Sequence, residues 1–281
     1  MLIWVAALHC EAKPVIDFFR LKKSHDHHAF DIYQKDNMCC IVSGVGKLNS
    51  AAATAWVAAL HRQSRSIAWI NIGTAGSESY AIGSAWSINK ISDIESGHRY
   101  YPVPLINSQL PTEHCQTHNQ PDNQYDSQSL SDMEASAFFG TATRFSSGEL
   151  IHCIKVVSDN SETPCSRDKN EVSQLIQQNM KAISEFSQVL TELNQQIAQM
   201  GISETDWQRF LAQAHFSQTQ KTQLKSCLRF LLSQGDSIDS LMSVVSAGTS
   251  ISASKKTSSN SNSQSILSCL TQRRIDLSRN L

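Results

Sequence analysis

The chain has 281 residues, a formal net charge of −1 at pH 7, and 40% hydrophobic and 17% charged residues. Its length exceeds the roughly 100–200 residues of a typical domain, which allows one large domain or a domain with an appendage. The near-neutral charge lacks the basic excess of proteins that bind nucleic acids or anionic membranes, so neither partner is expected.

The N-terminal run Met1–Leu8 is apolar but lacks the basic lead-in and the cleavage site of a signal peptide, so we predict a buried first strand. No apolar run reaches the roughly 18 residues of a membrane-spanning helix. The eight cysteines form no Cys-x-x-Cys pair and have no regular spacing. This pattern favours reduced, mostly buried thiols and a cytoplasmic location.

Between Met1 and Asn160, short apolar runs alternate with amphipathic stretches, which is typical of an α/β layer fold. Unbroken runs rich in Val and Ile indicate strands that are buried on both faces. The predicted strands are Leu2–Leu8, Asp31–Gln34, Cys39–Ser43, Ile67–Ile72, Ala85–Ile91 and Ile151–Ser158. The predicted helices are Glu11–Leu21, Leu48–Arg62 and Met133–Arg144.

The segment Ser92–Ser131 contains four prolines and many polar residues, and we expect mostly loop with one strand near Glu113–His118. A helical repeat of apolar residues then predicts one long amphipathic helix over Asp168–Met200. Two shorter helices, Glu204–His215 and Gln218–Leu232, are expected to begin after the capping residues Ser203 and Ser217.

The C-terminal part of the chain changes composition. Residues 246–265 are rich in Ser, Asn, Thr and Lys, which predicts a flexible linker. Residues 266–281 form a short amphipathic tail. We therefore divide the chain into an α/β domain (1–200), a helical extension (201–245), the linker and the tail.

Five short stretches place acidic, hydroxyl or glycine residues after a predicted strand or at the start of a helix. The carboxyl ends of strands gather the ligand site in α/β sheets, which makes these positions candidates for a functional site. The stretches are Ala7–Ala12, Ser43–Asn49, Asn71–Ser77, Asp132–Ala137 and Lys155–Asp159.

Each stretch alone has an ordinary structural explanation. Glu11 at a helix N-terminus stabilises the helix dipole, and Asp159 at a strand end caps a turn. The glycines of Ser43–Lys47 permit a tight turn but do not complete a dinucleotide or P-loop fingerprint. Only the order and spacing of all five stretches favour a functional interpretation.

Together, the five stretches resemble the purine nucleoside phosphorylase superfamily, most closely its 5′-methylthioadenosine/S-adenosylhomocysteine nucleosidase branch. The resemblance covers roughly Met1–Met200. It implies a three-layer nucleoside phosphorylase-like α/β domain with a central mixed sheet, followed here by a helical C-terminal extension. It also implies a hydrolase that cleaves the N-glycosidic bond of a purine nucleoside, a 5′-modified adenosine, and releases the free base without a cofactor or metal.

The resemblance gives Glu11 and Asp159 the catalytic roles. Glu11 activates the attacking water, and Asp159 acts as a general acid at N7 of the purine. The residues that it places in substrate binding are Thr74, Ala75, Gly76, Met133, Glu134 and Ser158. Met133 packs against the ribose, and Glu134 accepts hydrogen bonds from the 2′ and 3′ hydroxyls.

The sequence departs from the branch in two places. His9 and Cys10 occupy positions where the branch has acidic residues. The segment between Ser77 and Met133 is short for the family and lacks the Phe that stacks on the purine. The candidates for this stacking role are Tyr80, Tyr100, Tyr101 and Tyr125.

Two other functions remain open from the sequence. A phosphate-dependent phosphorylase is the nearest rival, although Leu8–Glu11 lacks the glycines and the arginine of the family's phosphate loop. A non-catalytic nucleoside-binding module, whose C-terminal helices bind a protein partner, is the other. A homodimer is expected from the resemblance only. The cluster His25, His27 and His28 with Asp26 completes no metal-ligand pattern.

Overall fold

The computed structural model describes residues 1–26, 29–64, 66–105, 108–122, 129–163, 168–199, 202–253 and 260–279. The chain forms two compact units, Met1–Gln195 and Gln196–Leu281. Among the described residues, no helix is both long and apolar enough to cross a membrane.

The first unit is built on one mixed sheet, whose described part has ten strands. The strands are β1 (Leu2–Ala6), β2 (Lys22–Lys23), β3 (Asp31–Lys35), β4 (Met38–Val42), β5 (Ala68–Gly76), β6 (Ala85–Asp93), β7 (Arg99–Tyr100), β8 (Thr112–Thr117), β9 (Leu130–Asp132) and β10 (Ile151–Asp159). All six predicted strands and the strand expected near Glu113 are present. The short strands β2, β7 and β9 were not predicted, because two or three residues carry no periodic signal.

Part of this sheet closes on itself. Strand β10 pairs in parallel with β5 and antiparallel with β6. Strand β8 pairs in parallel with both β6 and β9, and β9 returns to β5 through the pair Gly76 and Ser131. Strands β1, β4, β3 and β2 continue the sheet from β5. The ring therefore brings the end of β5 beside β9 and the end of β10.

Helices flank this sheet and cover its apolar residues. The helices of the first unit are α1 (His9–Phe19), α2 (Lys47–Leu60), α3 (Ala135–Ala142), α4 (Lys169–Gln178) and α5 (Met180–Gln199). Val57 of α2 and Phe138 of α3 belong to the same buried core as Ile3, Trp69 and Val157 of the strands. The mixed sheet with flanking helices confirms the predicted α/β class.

The long helix predicted over Asp168–Met200 is wrong in one respect, because it is two helices that meet at Asn179. The Asn179 side chain donates hydrogen bonds to the carbonyls of Leu175 (2.9 Å) and Gly83 (2.8 Å). Asn competes well for backbone groups at helix ends, so it ends α4. The apolar repeat continues into α5, which is why the break is invisible in the periodicity.

The second unit is helical throughout its described elements. These are α6 (Glu204–Leu211), α7 (Gln218–Ser233), α8 (Ile238–Ala253) and α9 (Asn260–Arg279). The predicted caps are confirmed, since the Ser203 hydroxyl accepts from the Asp206 N–H (3.0 Å) and the Ser217 hydroxyl from the Gln220 N–H (3.3 Å).

The flexible linker predicted over 246–265 is wrong where the structure describes it. Helix α8 continues to Ala253 and α9 begins at Asn260, while residues 254–259 lie outside the described residues. Ser and Asn have only moderately low helix propensity, and packing decides such cases. Ile266 and Leu270, predicted to lie on a separate tail, are fully buried in the core of this unit.

We expect Leu270→Ala to lower the free energy of unfolding of the helical unit by about 2–5 kcal/mol, because the side chain is fully buried. Ile275→Ala on the same helix is the matched control, since this residue is 39% exposed, and should cost less than about 1 kcal/mol. Urea unfolding followed by far-ultraviolet circular dichroism measures both changes. Equally small effects would mean that α9 is not packed.

Candidate functional site

A cavity of about 190 Å³ lies where the ends of β5 and β10 meet β9 and the start of α3. It collects every residue predicted to bind substrate, together with Asp159. The lining residues are Leu8, Val45, Thr74, Ala75, Gly76, Pro121, Asp122, Ser131, Asp132, Met133, Glu134, Ser158 and Asp159.

Glu11 does not line this cavity itself but contacts a residue that does. It lies in the first turn of α1, directly after β1, and is only 4% exposed. Its Oε1 accepts hydrogen bonds from the backbone N–H (2.8 Å) and the hydroxyl (2.9 Å) of Thr74. Its Oε2 accepts from the Leu8 N–H (2.9 Å). Three donors therefore fix a carboxylate beside the end of β5.

Gly73 makes this placement possible. A Cβ atom built on Gly73 would lie 3.1 Å from Oε1 and 3.4 Å from Cδ of Glu11. Contacts this short are tighter than ordinary van der Waals separations, so a side chain at this position would shift the carboxylate by a few tenths of an ångström. The glycine thus allows the close approach of Glu11.

Asp159 is the last residue of β10, and both it and Ser158 are buried. The Ser158 hydroxyl donates to Oδ1 of Asp159. The Asp159 carbonyl accepts from the Ser77 N–H at 3.0 Å, which ties the end of β10 to the end of β5. The predicted position of Asp159 at a strand end, facing a cavity, is therefore what the structure shows.

Glu134 lies between β9 and α3 and is 7% exposed. Its Oε1 accepts a hydrogen bond from the Gly46 N–H at 2.7 Å. Gly46 has a φ of +97°, a conformation that favours glycine, so the second glycine of Ser43–Lys47 has a defined role. Met133, the neighbour of Glu134, also lines the cavity.

Burial raises the pKa of Glu134 to about 7. The Lys155 charge and the Gly46 N–H oppose this rise, whereas the nearby carboxylates of Asp132 and Glu11 add to it. Glu134 therefore changes its charge near neutral pH, unlike an ordinary surface glutamate.

Asp132 and Lys155 have no predicted role, although both lie in the five stretches that carry the resemblance. Asp132 Oδ2 lies 2.7 Å from Lys155 Nζ, and both side chains are buried. Asp132 also accepts from the Thr117 hydroxyl (2.7 Å) and the Ala135 N–H (2.8 Å). A lysine within the otherwise apolar run Ile151–Val157 is the signal that a buried counter-charge is needed.

At this ion pair, burial and the charge of the partner shift each pKa in opposite directions. Burial alone would raise the pKa of Asp132, but the Lys155 charge and the hydrogen bonds bring it below its usual value. Burial alone would lower the pKa of Lys155, but the carboxylates of Asp132 and Glu134 raise it above its usual value. Both groups are therefore charged at neutral pH.

A second ion pair joins Lys47 at the start of α2 to Asp93 at the end of β6. Lys47 Nζ lies 2.8 Å from Asp93 Oδ2, which also accepts from the Ser136 hydroxyl at 2.6 Å. Lys47 additionally pairs with Glu95. Because Lys47 follows Gly46 directly, this ion pair helps to hold the Gly46 N–H, which donates a hydrogen bond to Glu134.

None of the described tyrosines lines the cavity. Tyr80 packs on Trp86, with ring centroids 4.2 Å apart, and its hydroxyl donates to Glu113. Tyr100 packs on Phe139, Tyr101 is exposed, and Tyr125 lies outside the described residues. The purine-stacking residue expected from the resemblance is thus not found among the tyrosines that the structure describes.

The histidine cluster is only partly described, since His27 and His28 lie outside the described ranges. Among the residues that are described, no group of three or more His, Cys, Asp or Glu is arranged to hold a metal ion. His25 lines a separate, open depression next to Phe30 and Asn49.

We expect Glu134→Gln to stabilise the protein at high pH. The pKa of Glu134 is raised from 4.5 to about 7 in the folded state, so its favourable contribution is complete below about pH 4.5 and is lost as the pH rises through about 7. The neutral Gln avoids this loss and still accepts from Gly46. Thermal unfolding should therefore show a stabilisation of up to about 3 kcal/mol at pH 8 and little at pH 4.

The matched control is Glu192→Gln, because Glu192 is an exposed residue of α5. Its unfolding temperature should follow that of the parent at both pH values. A Glu134→Gln variant that is equally or less stable than the parent at pH 8 would contradict the buried, ionised carboxylate.

No protein-family model matches the sequence, and no curated protein sequence is significantly similar to it. Solved structures, in contrast, match over about two thirds of the chain. A 5′-methylthioadenosine nucleosidase from Arabidopsis thaliana, in the apo form, has 16% identity and a TM-score of 0.54, covering 68% of this chain and 94% of its own.

Two further structures agree with this match. An MTA/SAH nucleosidase has 18% identity and a TM-score of 0.53, covering 66% of this chain and 95% of its own. An S-adenosylhomocysteine nucleosidase from Streptococcus pyogenes, in complex with 5-methylthiotubericidin, has 16% identity and a TM-score of 0.51, covering 68% and 95%. The resemblance predicted from the five stretches is therefore confirmed for the fold.

Proposed function

We propose that this chain hydrolyses the N-glycosidic bond of a purine nucleoside and releases the free base, with a 5′-modified adenosine as the substrate class. The observation that carries the proposal is the convergence of Glu11, Glu134 and Asp159 at one edge of the sheet. These are the three carboxylates to which the five-stretch resemblance gives roles, and they come from three distant parts of the sequence.

The proposed reaction uses two of the carboxylates in turn. Asp159 transfers a proton to N7 as the bond between C1′ and N9 breaks, so the base leaves as a neutral purine. Glu11 takes the proton of a water molecule whose oxygen bonds to C1′. The sugar carries positive charge in the transition state, and the surrounding carboxylates stabilise that charge.

The remaining lining residues suit the sugar. Thr74, Ala75 and Gly76 form the end of β5, where small residues allow a ligand to approach the backbone closely. Glu134 can accept hydrogen bonds from two neighbouring hydroxyls, which is the arrangement of the ribose 2′ and 3′ positions. Met133 adds an apolar surface beside them.

The charge of the cavity supports water over phosphate as the nucleophile. Its described lining includes Asp122, Asp132, Glu134 and Asp159 and has no Lys, Arg or His. A phosphate dianion requires cationic groups or several free N–H donors, and nearby carboxylates repel it. The same argument favours a nucleoside over a 5′-phosphorylated nucleotide.

One observation favours a non-catalytic nucleoside-binding module as the second candidate. The residues assigned to the sugar line the cavity, whereas Glu11, which is assigned to the water, does not. The cavity volume of about 190 Å³ is below the roughly 300–1,000 Å³ of small-molecule sites, so binding and hydrolysis both require it to widen. Binding of 5′-methylthioadenosine without release of adenine would support the second candidate and reject the first.

We expect Glu11→Gln and Asp159→Asn each to lower kcat for adenine release from 5′-methylthioadenosine by about 100-fold or more, because each removes a proton-transfer group. Release by the parent should be equal with and without phosphate, and Glu192→Gln should match the parent. Variants that remain within about threefold of the parent would reject the assigned roles. Adenine release that requires phosphate would mean that the protein is a phosphorylase and not a hydrolase.

We expect Gly73→Ala to lower turnover by about tenfold and to change the unfolding temperature little. The added Cβ lies 3.1 Å from Glu11 Oε1, so the carboxylate must shift by a few tenths of an ångström, and proton transfer is sensitive to such shifts. Gly148→Ala is the control, because its Cβ would meet no atom within 4 Å. Unchanged kcat in folded Gly73→Ala would mean that the Glu11 position is not critical.

A further inference from the structure

Lys155 is a buried charged residue in an apolar strand, and such a residue seldom adds to the stability of a fold. It lies in the middle of β10, is 1% exposed, and its ion pair with Asp132 is buried on both sides. Removing two charges from water costs several kcal/mol per ion, and well-packed apolar residues are often equally or more stable at such positions. A buried pair of this kind therefore calls for a reason other than stability.

The geometry around Asp132 supplies that reason. Asp132 directly precedes Met133 and Glu134, and its Oδ2 accepts from the backbone N–H groups of Glu134 (3.2 Å) and Ala135 (2.8 Å). The same oxygen lies 2.7 Å from Lys155 Nζ. Lys155 therefore fixes the carboxylate that in turn fixes the backbone of Glu134.

We propose that Lys155 is a positioning residue for the nucleosidase reaction: through its ion pair with Asp132 it fixes Glu134 at the cavity, where Glu134 accepts the sugar hydroxyls. This inference rests on the proposed function, because it assigns Glu134 to the sugar.

The groups that face Glu134 from the surrounding elements show why the charge matters. Asp132 on β9 and Glu11 on α1 are carboxylates, which disfavour a further negative charge. Lys155 on β10 is the cation that acts on it, and the Gly46 N–H before α2 is its hydrogen-bond donor. Without Lys155, the pKa of Glu134 would rise further, and a smaller fraction of the group would be ionised at neutral pH.

The test compares Lys155→Met with Lys155→Arg and with the double variant Lys155→Met/Asp132→Asn. Asn at position 132 keeps an oxygen for the N–H groups of Glu134 and Ala135, and the double variant leaves no unpaired buried charge, so it should fold. Lys13→Met is the control, because Lys13 forms an exposed pair with Asp17.

Two measurements are made on each folded variant. The first is the pH dependence of kcat and KM for adenine release from 5′-methylthioadenosine. The second is the pKa of Glu134 in the ligand-free protein, from carboxyl carbon chemical shifts. In Lys155→Met we expect KM at pH 7 to rise about tenfold, more than kcat falls, and the acid limb to move up by about one pH unit.

Lys155→Arg should keep the acid limb of the parent, and the double variant should shift it less than Lys155→Met does, because a repelling carboxylate is lost together with the cation. A folded Lys155→Met with the KM, the acid limb and the Glu134 pKa of the parent overturns the role of Lys155. If that variant does not fold, the double variant is compared with Asp132→Asn alone, and an equal KM, acid limb and Glu134 pKa in these two overturn the role of Lys155.

The failure of this inference differs from the failure of the proposed function. A parent protein that neither cleaves nor binds 5′-methylthioadenosine overturns the proposed function and the role of Lys155 in it together. A parent that cleaves the nucleoside, with variants that differ only in unfolding temperature, overturns the role of Lys155 alone.

Discussion

The site depends on the buried ion pair between Lys155 and Asp132. A lysine in the middle of an apolar strand must find a counter-charge, because an isolated buried ammonium costs far more than the fold can offset. The carboxylate that meets it closes strand β9 and begins the turn into α3. Glu134 reaches the cavity because it follows Asp132 in the chain. The ion pair joins the end of β9 to β10 through side chains, while β9 itself pairs with β5 and β8.

The same physics explains how several carboxylates occupy a small volume. Each candidate has its own donors: Thr74 and Leu8 for Glu11, Gly46 for Glu134, and Ser158 for Asp159. Donors that are already aligned cost nothing to reorganise during a reaction, which is the advantage of a preorganised polar site. The described lining of the cavity contains carboxylates and no Lys, Arg or His, which is the basis of the proposed preference for water over phosphate.

The parts of the site that the sequence predicted are those with local signals. Glu11 and Asp159 follow apolar runs within a few residues, so the ends of the predicted strands indicate where these carboxylates gather. Gly46 and Gly73 lie in small-residue stretches that follow predicted strands. The pairing of Lys155 with Asp132 has no local signal, because it joins residues that only the sheet brings together. The break at Asn179 was missed for the opposite reason, since the apolar repeat runs through it while one side chain ends the helix.

The C-terminal residues show how packing can override composition. Ser and Asn in 246–265 lower helix propensity by only tenths of a kcal/mol each, and burial of one leucine side chain contributes roughly 1.5–3 kcal/mol. Leu241 and Val245 on α8, with Ile266 and Leu270 on α9, are buried in a core shared with Leu224 of α7. Ile266 and Leu270 of the predicted amphipathic tail are therefore covered within their own unit. A partner of this unit would have to recognise the folded helices, because these four apolar side chains are not free to enter a groove on another protein.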